Sequence, residues 1–157
     1  MHMSASTLAI LASACLPVHF EFHSTHPALA GCYPFTDFQT SEFACRHCGE
    51  IVIHPALKLA LQSLRDELRR PITITSGYRC RYYNRLVGGT PASYHMEGKA
   101  ADIVVKGMSA TELYHAAMKI PAFRDGGIGV YRSQNFIHLD VRAKRYHWGY
   151  PRNNRQP

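Results

Sequence analysis

Phe136-Ile137-His138-Leu139-Asp140-Val141 alternates polar and apolar side chains from Ile137 onward. A period of two puts His138 and Asp140 on one face of a strand and Ile137 and Leu139 on the other. One face is marked for a core, the other for a histidine–carboxylate pair facing a cleft. Just upstream, Gly126-Gly127-Ile128-Gly129-Val130-Tyr131 reads as a second strand. The stretch from Arg132 to Asn135 is short enough to join the two as an antiparallel hairpin.

The same reading extends toward the N-terminus. Pro55 opens a segment in which Leu57, Leu59, Ala60, Leu61, Leu64 and Leu68 recur at helical spacing, closed by Arg69-Arg70-Pro71. Thr40-Ser41-Glu42-Phe43 offers cap residues before a short segment, and Ile72-Thr73-Ile74-Thr75 alternates as a strand. Ser76-Gly77-Tyr78-Arg79 turns out of that strand, and Tyr82 to Leu86 forms a short helix before Gly88-Gly89. Ala101 to Val105 is a further strand. Ser109 caps a helix that runs to about Lys119 and stops before Pro121, with Glu112 at the capping-box position. Helices interspersed with a hairpin give an α+β fold, with helices packed on one mostly antiparallel sheet.

The chain has 157 residues, room for one domain with a real core. Its 46% hydrophobic and 18% charged content exclude a disordered chain. Residues 1–35 lack a clear period and read as an N-terminal extension or arm, followed by a domain over 36–150 and a basic tail over 151–157. The apolar run Leu8 to Cys15 resembles the core of a signal peptide, yet no Lys or Arg precedes it. It is too short to span a bilayer, so no membrane span is expected. The formal charge is +7, and Arg142, Lys144, Arg145, Arg152 and Arg155 follow Val141. Such a surface suits an anionic polymer or a membrane face. With no base-stacking motif and no zinc-finger helix, charge alone does not indicate a nucleic-acid partner. A monomer is expected.

Ser93-Tyr94-His95-Met96-Glu97-Gly98-Lys99-Ala100-Ala101-Asp102 sets an imidazole and a carboxylate seven residues apart around a glycine. Folded back, this loop can present both groups at one point. If it meets the polar face of the His138 strand, two imidazoles and one carboxylate can ligate a metal and leave a fourth position open, as in catalytic zinc sites. On residue types alone a loop histidine such as His95 is more often a surface or hydrogen-bonding residue, and Asp102 a cap or a partner for Lys99. Cysteines 15, 32, 45, 48 and 80 make neither an even disulfide framework nor a complete four-ligand zinc set. Cys45-Arg46-His47-Cys48 can hold a structural metal, a redox disulfide or nothing, and Cys80 could approach it in space. The spaced His19, His23 and His26 read as surface residues of the arm.

Taken in order, Ser76-Gly77-Tyr78-Arg79, Asn84, Val87-Gly88-Gly89, Ser93-x-His95-x-x-Gly98-x-Ala100-x-Asp102, Gly127-x-Gly129-x-Tyr131, Phe136-x-His138-x-Asp140 and Trp148 resemble the zinc D-Ala-D-Ala carboxypeptidase family. The resemblance runs from about Phe43 to Trp148. That family includes peptidoglycan endopeptidases of bacteria and phage, and its fold is shared with the hedgehog signalling domain. The resemblance implies a hedgehog/DD-peptidase-like zinc peptidase domain over 36–150, with Zn2+ held by His95, Asp102 and His138. It implies hydrolysis of a peptide bond in peptidoglycan stem or cross-link peptides, by a carboxypeptidase or an endopeptidase. The place of work would be the periplasm or the cell wall, as a bacterial murein hydrolase or a phage-delivered one. Arg79 and Ser93 would hold the substrate, and a guanidinium suits a peptide carboxylate or a developing oxyanion through paired donors. Tyr78 and Trp148 would line the cleft as apolar walls.

The sequence departs from the family at the general base. Several branches carry an Asp or Glu three residues before the last histidine ligand, and here that position is Asn135, which cannot take a proton from water. Other branches end in His-x-His, where this chain has Phe136. The Phe-x-His-x-Asp branch fits, which makes Asp140 either the base or the partner that fixes the tautomer of an imidazole. Glu97 and His147 are weaker alternatives for the base. With no carboxylate in reach, the chain would be a catalytically inactive metal-binding relative.

Overall fold

A computed structural model describes residues 37–150. The arm read over 1–35, with Cys15, Cys32 and its histidines, and the basic tail after Tyr150 lie outside the described residues.

Helix α1 (Pro55–Leu68) starts where Pro55 occupies the first turn and the His54 side chain accepts from the Ala56 amide; it ends at Arg69 in the left-handed region. Its Leu57, Leu61 and Leu64 are fully buried, as the helical spacing demands. Strand β1 (Thr73–Ser76) and the short helix α2 (Arg81–Leu86) follow. Strand β2 (Ala100–Val104) comes next, then helix α3 (Ala110–Ala117), whose start carries the expected capping box between Ser109 and Glu112. A single turn, α4 (Pro121–Arg124), leads into the hairpin of β3 (Gly127–Tyr131) and β4 (Phe136–Asp140). Strand β5 (Tyr146–Trp148) closes the order.

The sheet runs β1-β2-β4-β3-β5, antiparallel throughout except for the parallel pair β3–β5. This is the α+β, hedgehog-like arrangement. Neither α4 nor β5 is expected from the sequence. A single turn after a proline and a strand of three residues are both too short to show a period. Ile103, Ile128, Ile137 and Leu139 are fully buried, packed in one core with Leu113 and Phe123 from the helical segments. Truncating any one of these to alanine costs about 2–5 kcal/mol. Helices α1, α3 and α4 therefore pack on one face of the sheet, and the alternation leaves the other face free for polar chemistry. Among the described residues, no helix is long and apolar enough to cross a membrane.

Candidate metal centre and cleft

Strand register builds the site. Ser76 pairs with Asp102, Asp102 with His138, His138 with Gly129, and Gly129 with Trp148. One row of side chains thus crosses the sheet on the face opposite Ile103 and Ile137. The next row sets Ala100, Asp140, Gly127 and Tyr146 abreast. The glycines in these rows make room for their neighbours. A Cβ on Gly129 would stand 2.3 Å from the Trp148 indole, and one on Gly127 would stand 2.2 Å from the Asp140 carboxylate.

His95 reaches the row from off the sheet, on the 3-10 turn Tyr94–Glu97. Gly98 ends that turn at φ 64, and a Cβ there would lie 2.5 Å from the Val52 carbonyl oxygen. Only glycine meets both conditions, so the chain can reverse between His95 and the strand that carries Asp102.

Three donor atoms converge. His138 Nδ1 lies 3.0 Å from Asp102 Oδ1 and 3.1 Å from His95 Nε2, and His95 Nε2 lies 3.3 Å from the same carboxylate oxygen. All three residues are buried. The other nitrogen of each ring is already committed. His95 Nδ1–H donates to the Gly77 carbonyl at 2.7 Å, and His138 Nε2–H donates to Asp140 Oδ2 at 2.9 Å. With those tautomers, two imidazole lone pairs and a carboxylate oxygen face one point, and three acceptors this close must share a proton or a cation.

The electrostatics agree. Burial opposes charge on His138, but bonding to Asp102 and Asp140 prevails and raises its pKa, whereas burial dominates at His95 and lowers it. Asp102 is held well below the usual carboxylate range, because the two imidazoles outweigh its burial. Donors around tetrahedral zinc stand about 3.3 Å apart at bond lengths of about 2.0–2.1 Å, so the spacing and chemistry of this set fit Zn2+.

Two arginines sit against this centre. Arg79 bonds Asp102 Oδ2 through Nη2 and the Ser76 hydroxyl through Nε at 2.9 Å. Arg142 donates to Asp140 through its backbone amide (3.1 Å), its Nε (2.7 Å) and its Nη2. Asp140 is fully buried, and despite that burial the bonds from Arg142 and His138 lower its pKa to about 2. A cleft of about 630 Å³ opens over His95, Asp102 and His138, with Arg79, Ser93, Tyr94, Tyr131, Arg142 and Trp148 in its walls.

A family model described as Peptidase M15 matches residues 36–140. The chain belongs to the peptidase M15 family. The peptidoglycan L,D-endopeptidase MepK of Escherichia coli (strain K12) is 35% identical over 103 residues, which cover 61% of this chain and 54% of that protein. The probable peptidoglycan L,D-endopeptidase MepK of Haemophilus influenzae is 34% identical over 75 residues, 45% of this chain and 39% of that protein. The chain spans about half or less of the length of the curated relatives it matches.

In this M15 domain the residues singled out from the sequence separate by location. His95, Asp102 and His138 meet at one point. Arg79, Ser93 and Trp148 border the cleft, and the Trp148 ring lies 5.1 Å from that of His138. Tyr78 is not among the cleft-lining residues. Burial and the neighbouring Glu50 carboxylate, which its phenol bonds, raise its pKa. Of the two roles open to Asp140, the geometry matches the partner that fixes an imidazole, since it lies behind His138 with both oxygens accepting bonds. Glu97 pairs with Lys99 at 2.7 Å on the surface. His147 takes the face opposite Trp148, its Nδ1 3.4 Å from the Tyr114 hydroxyl. Asn135 is a turn residue at φ 53; its Oδ1 accepts from the Ala110 amide (2.8 Å) and its Nδ2 donates to the Met108 carbonyl (3.2 Å).

Sequence reasoning missed Arg142, Tyr94 and Tyr146 as cleft residues. The signal for Arg142 was present, because it continues the period of two past Asp140. The guanidinium lies 4.7 Å from the Tyr94 ring and 5.3 Å from the Tyr146 ring, contacts that only the tertiary fold creates.

Proposed function

We propose that this chain is a zinc-dependent peptidoglycan peptidase acting on stem or cross-link peptides, and that it is an endopeptidase for an L,D bond, in keeping with the names of its relatives. The observation that carries the reading is the convergence of His95, Asp102 and His138 on the floor of a cleft walled by two arginines. A zinc ion held there supplies Lewis acidity and brings the pKa of water to roughly 7. Asp140 keeps the His138 proton on Nε2, so the Nδ1 lone pair stays directed at the centre. Arg79 and Arg142 place fixed positive charge at the Asp102 and Asp140 ends of the site, suited to a substrate carboxylate or a developing oxyanion. Trp148 and the stacked Tyr131–Phe136 pair, 4.4 Å between centroids, offer apolar surface to the peptide. The place of work is the compartment that holds murein, and the working unit is a monomer.

A second reading rests on the cleft walls. Among the described residues lining the cleft, Asp102 is the sole carboxylate, and it is engaged by Arg79. That favours a metal-dependent peptidoglycan binder without turnover. Digesting purified murein with zinc-loaded and chelator-treated protein, then weighing the products, separates the two. Zinc-dependent release of fragments cut at an L,D bond supports the peptidase, and it should disappear in His95→Ala. Murein that binds the zinc-loaded protein but stays intact supports the binder.

A further inference from the structure

A second group of metal-ligating side chains lies apart from the cleft centre. Cys45, Cys48 and Cys80 bring their sulfurs within 4.8 Å of one another, and none of the three is in a disulfide. The backbone is shaped for this. The Cys45 amide donates to the Glu50 carbonyl and the Gly49 amide to the Cys45 carbonyl, both at 2.8 Å, with Gly49 at φ 72. This tight Cys-x-x-Cys-Gly turn points both thiols one way. Cys80 arrives from the start of α2, and its amide donates to Cys45 Sγ at 3.4 Å.

His47, inside the turn, places Nδ1 3.8 Å from Cys80 Sγ and packs its ring 4.6 Å from that of Tyr82. Sulfurs around tetrahedral zinc at about 2.3 Å stand about 3.8 Å apart, so the cluster needs about 1 Å or less of closure per pair. Thiolates with an imidazole select zinc over the hard cations.

We propose that Cys45, Cys48 and Cys80, with His47 as fourth donor, form a structural zinc site separate from the cleft. Its role is to tie the segment around Phe43 to the connection between β1 and α2. That connection carries the Gly77 carbonyl that orients His95, the Arg79 guanidinium on Asp102, and the Tyr78 amide bonded to the Phe43 carbonyl at 2.8 Å. The closed thiolate site thus braces the open one from behind. The assignment holds whether or not the cleft turns over substrate.

The test is cobalt titration of the full chain carrying Cys15→Ser and Cys32→Ser, so that the three cluster thiols are the ones present. The expected result is two equivalents of metal, one with thiolate-to-cobalt charge-transfer absorption in the near ultraviolet. Cys48→Ser should lose that absorption and one equivalent, and His47→Ala should keep the absorption at weaker affinity. His95→Ala should keep the absorption while losing the other equivalent. If a variant does not fold, alkylation of the reduced, native chain decides: zinc should protect Cys48 and Cys80, and a chelator should expose them. Uptake of one equivalent without thiolate absorption, equal alkylation with and without zinc, or a mass two hydrogens low from a disulfide within the cluster would each overturn the proposal.

Discussion

Asp140→Asn separates a positioning carboxylate from a catalytic base. The Asp140 oxygens accept from four donors: His138 Nε2 at 2.9 Å, the Arg142 amide at 3.1 Å, Arg142 Nε at 2.7 Å, and Arg142 Nη2. An asparagine of the same size keeps one oxygen and turns the other into a donor. With the amide nitrogen at the Oδ2 position it faces His138 Nε2–H, and the imidazole escapes only by moving its proton to Nδ1. That proton then sits where the centre needs a lone pair. With the nitrogen at the Oδ1 position it opposes two Arg142 donors instead. Loss of such a partner behind a metal ligand lowers affinity ~10–100-fold, about 1.4–2.7 kcal/mol.

Stability falls as well. Breaking a buried charge pair costs about 3–5 kcal/mol, and the low end applies because the Arg142 side chain keeps 18% exposure and can turn to water. The assay is zinc titration of the apoprotein against a chromophoric chelator, run in parallel on His95→Ala to assign the binding step that belongs to the cleft. Murein turnover is read at saturating zinc. A positioning role predicts weakened zinc binding and partial recovery of turnover when zinc is raised. Unchanged zinc affinity and melting temperature, with turnover lost at every zinc concentration, would refute the positioning role and return Asp140 to that of base.

Other substitutions probe the walls and the turn. Gly129→Ala pushes on the Trp148 indole, so it should cost about 1–3 kcal/mol, change the emission of the chain's single tryptophan and slow peptide hydrolysis. Its zinc stoichiometry should stay as in the native chain; loss of metal would mean that Trp148 supports the ligands rather than the peptide. Asn135→Asp restores a carboxylate three residues before His138, yet activity should not rise, because this side chain holds the start of α3. It should lower stability by about 1 kcal/mol through the lost Nδ2 bond, and a gain in turnover would contradict the placement. Asp102 and Asp140 both have folded pKa values below the ordinary 3.8. Groups shifted down stabilise the fold above their unfolded pKa and lose that contribution as pH falls through the folded value. The urea midpoint of the apoprotein should therefore drop between about pH 5 and pH 2, and drop less in Asp140→Asn; equal midpoints at both ends would count against these pairings.

What can be read in the chain, and what cannot, follows from the range of each interaction. The period of two in Ile137-His138-Leu139-Asp140 is local, so the core face and the polar face of β4 are legible in the sequence itself. The convergence of His95 with His138 spans 43 residues, and only the ordered family motifs point to it. Which way Asp140 looks is not legible, because alternation assigns a face and not a partner. Both the cleft and the back of His138 lie on that face, and Arg142 decides between them. Counting back from His138 misleads in a similar way. Three residues is an odd step, which alternation alone would send to the core face with Ile137, and the chain in fact leaves β4 at Phe136 and turns through Asn135 at φ 53. Where the Tyr78 side chain points is not legible either, since no period governs the turn that carries it. Gly127 and Gly129 show the opposite case. Their lack of a side chain marks the space taken by Asp140 and Trp148, so a Gly-x-Gly on the strand beside a His-x-Asp strand is itself a sign that the paired face is filled from its neighbours.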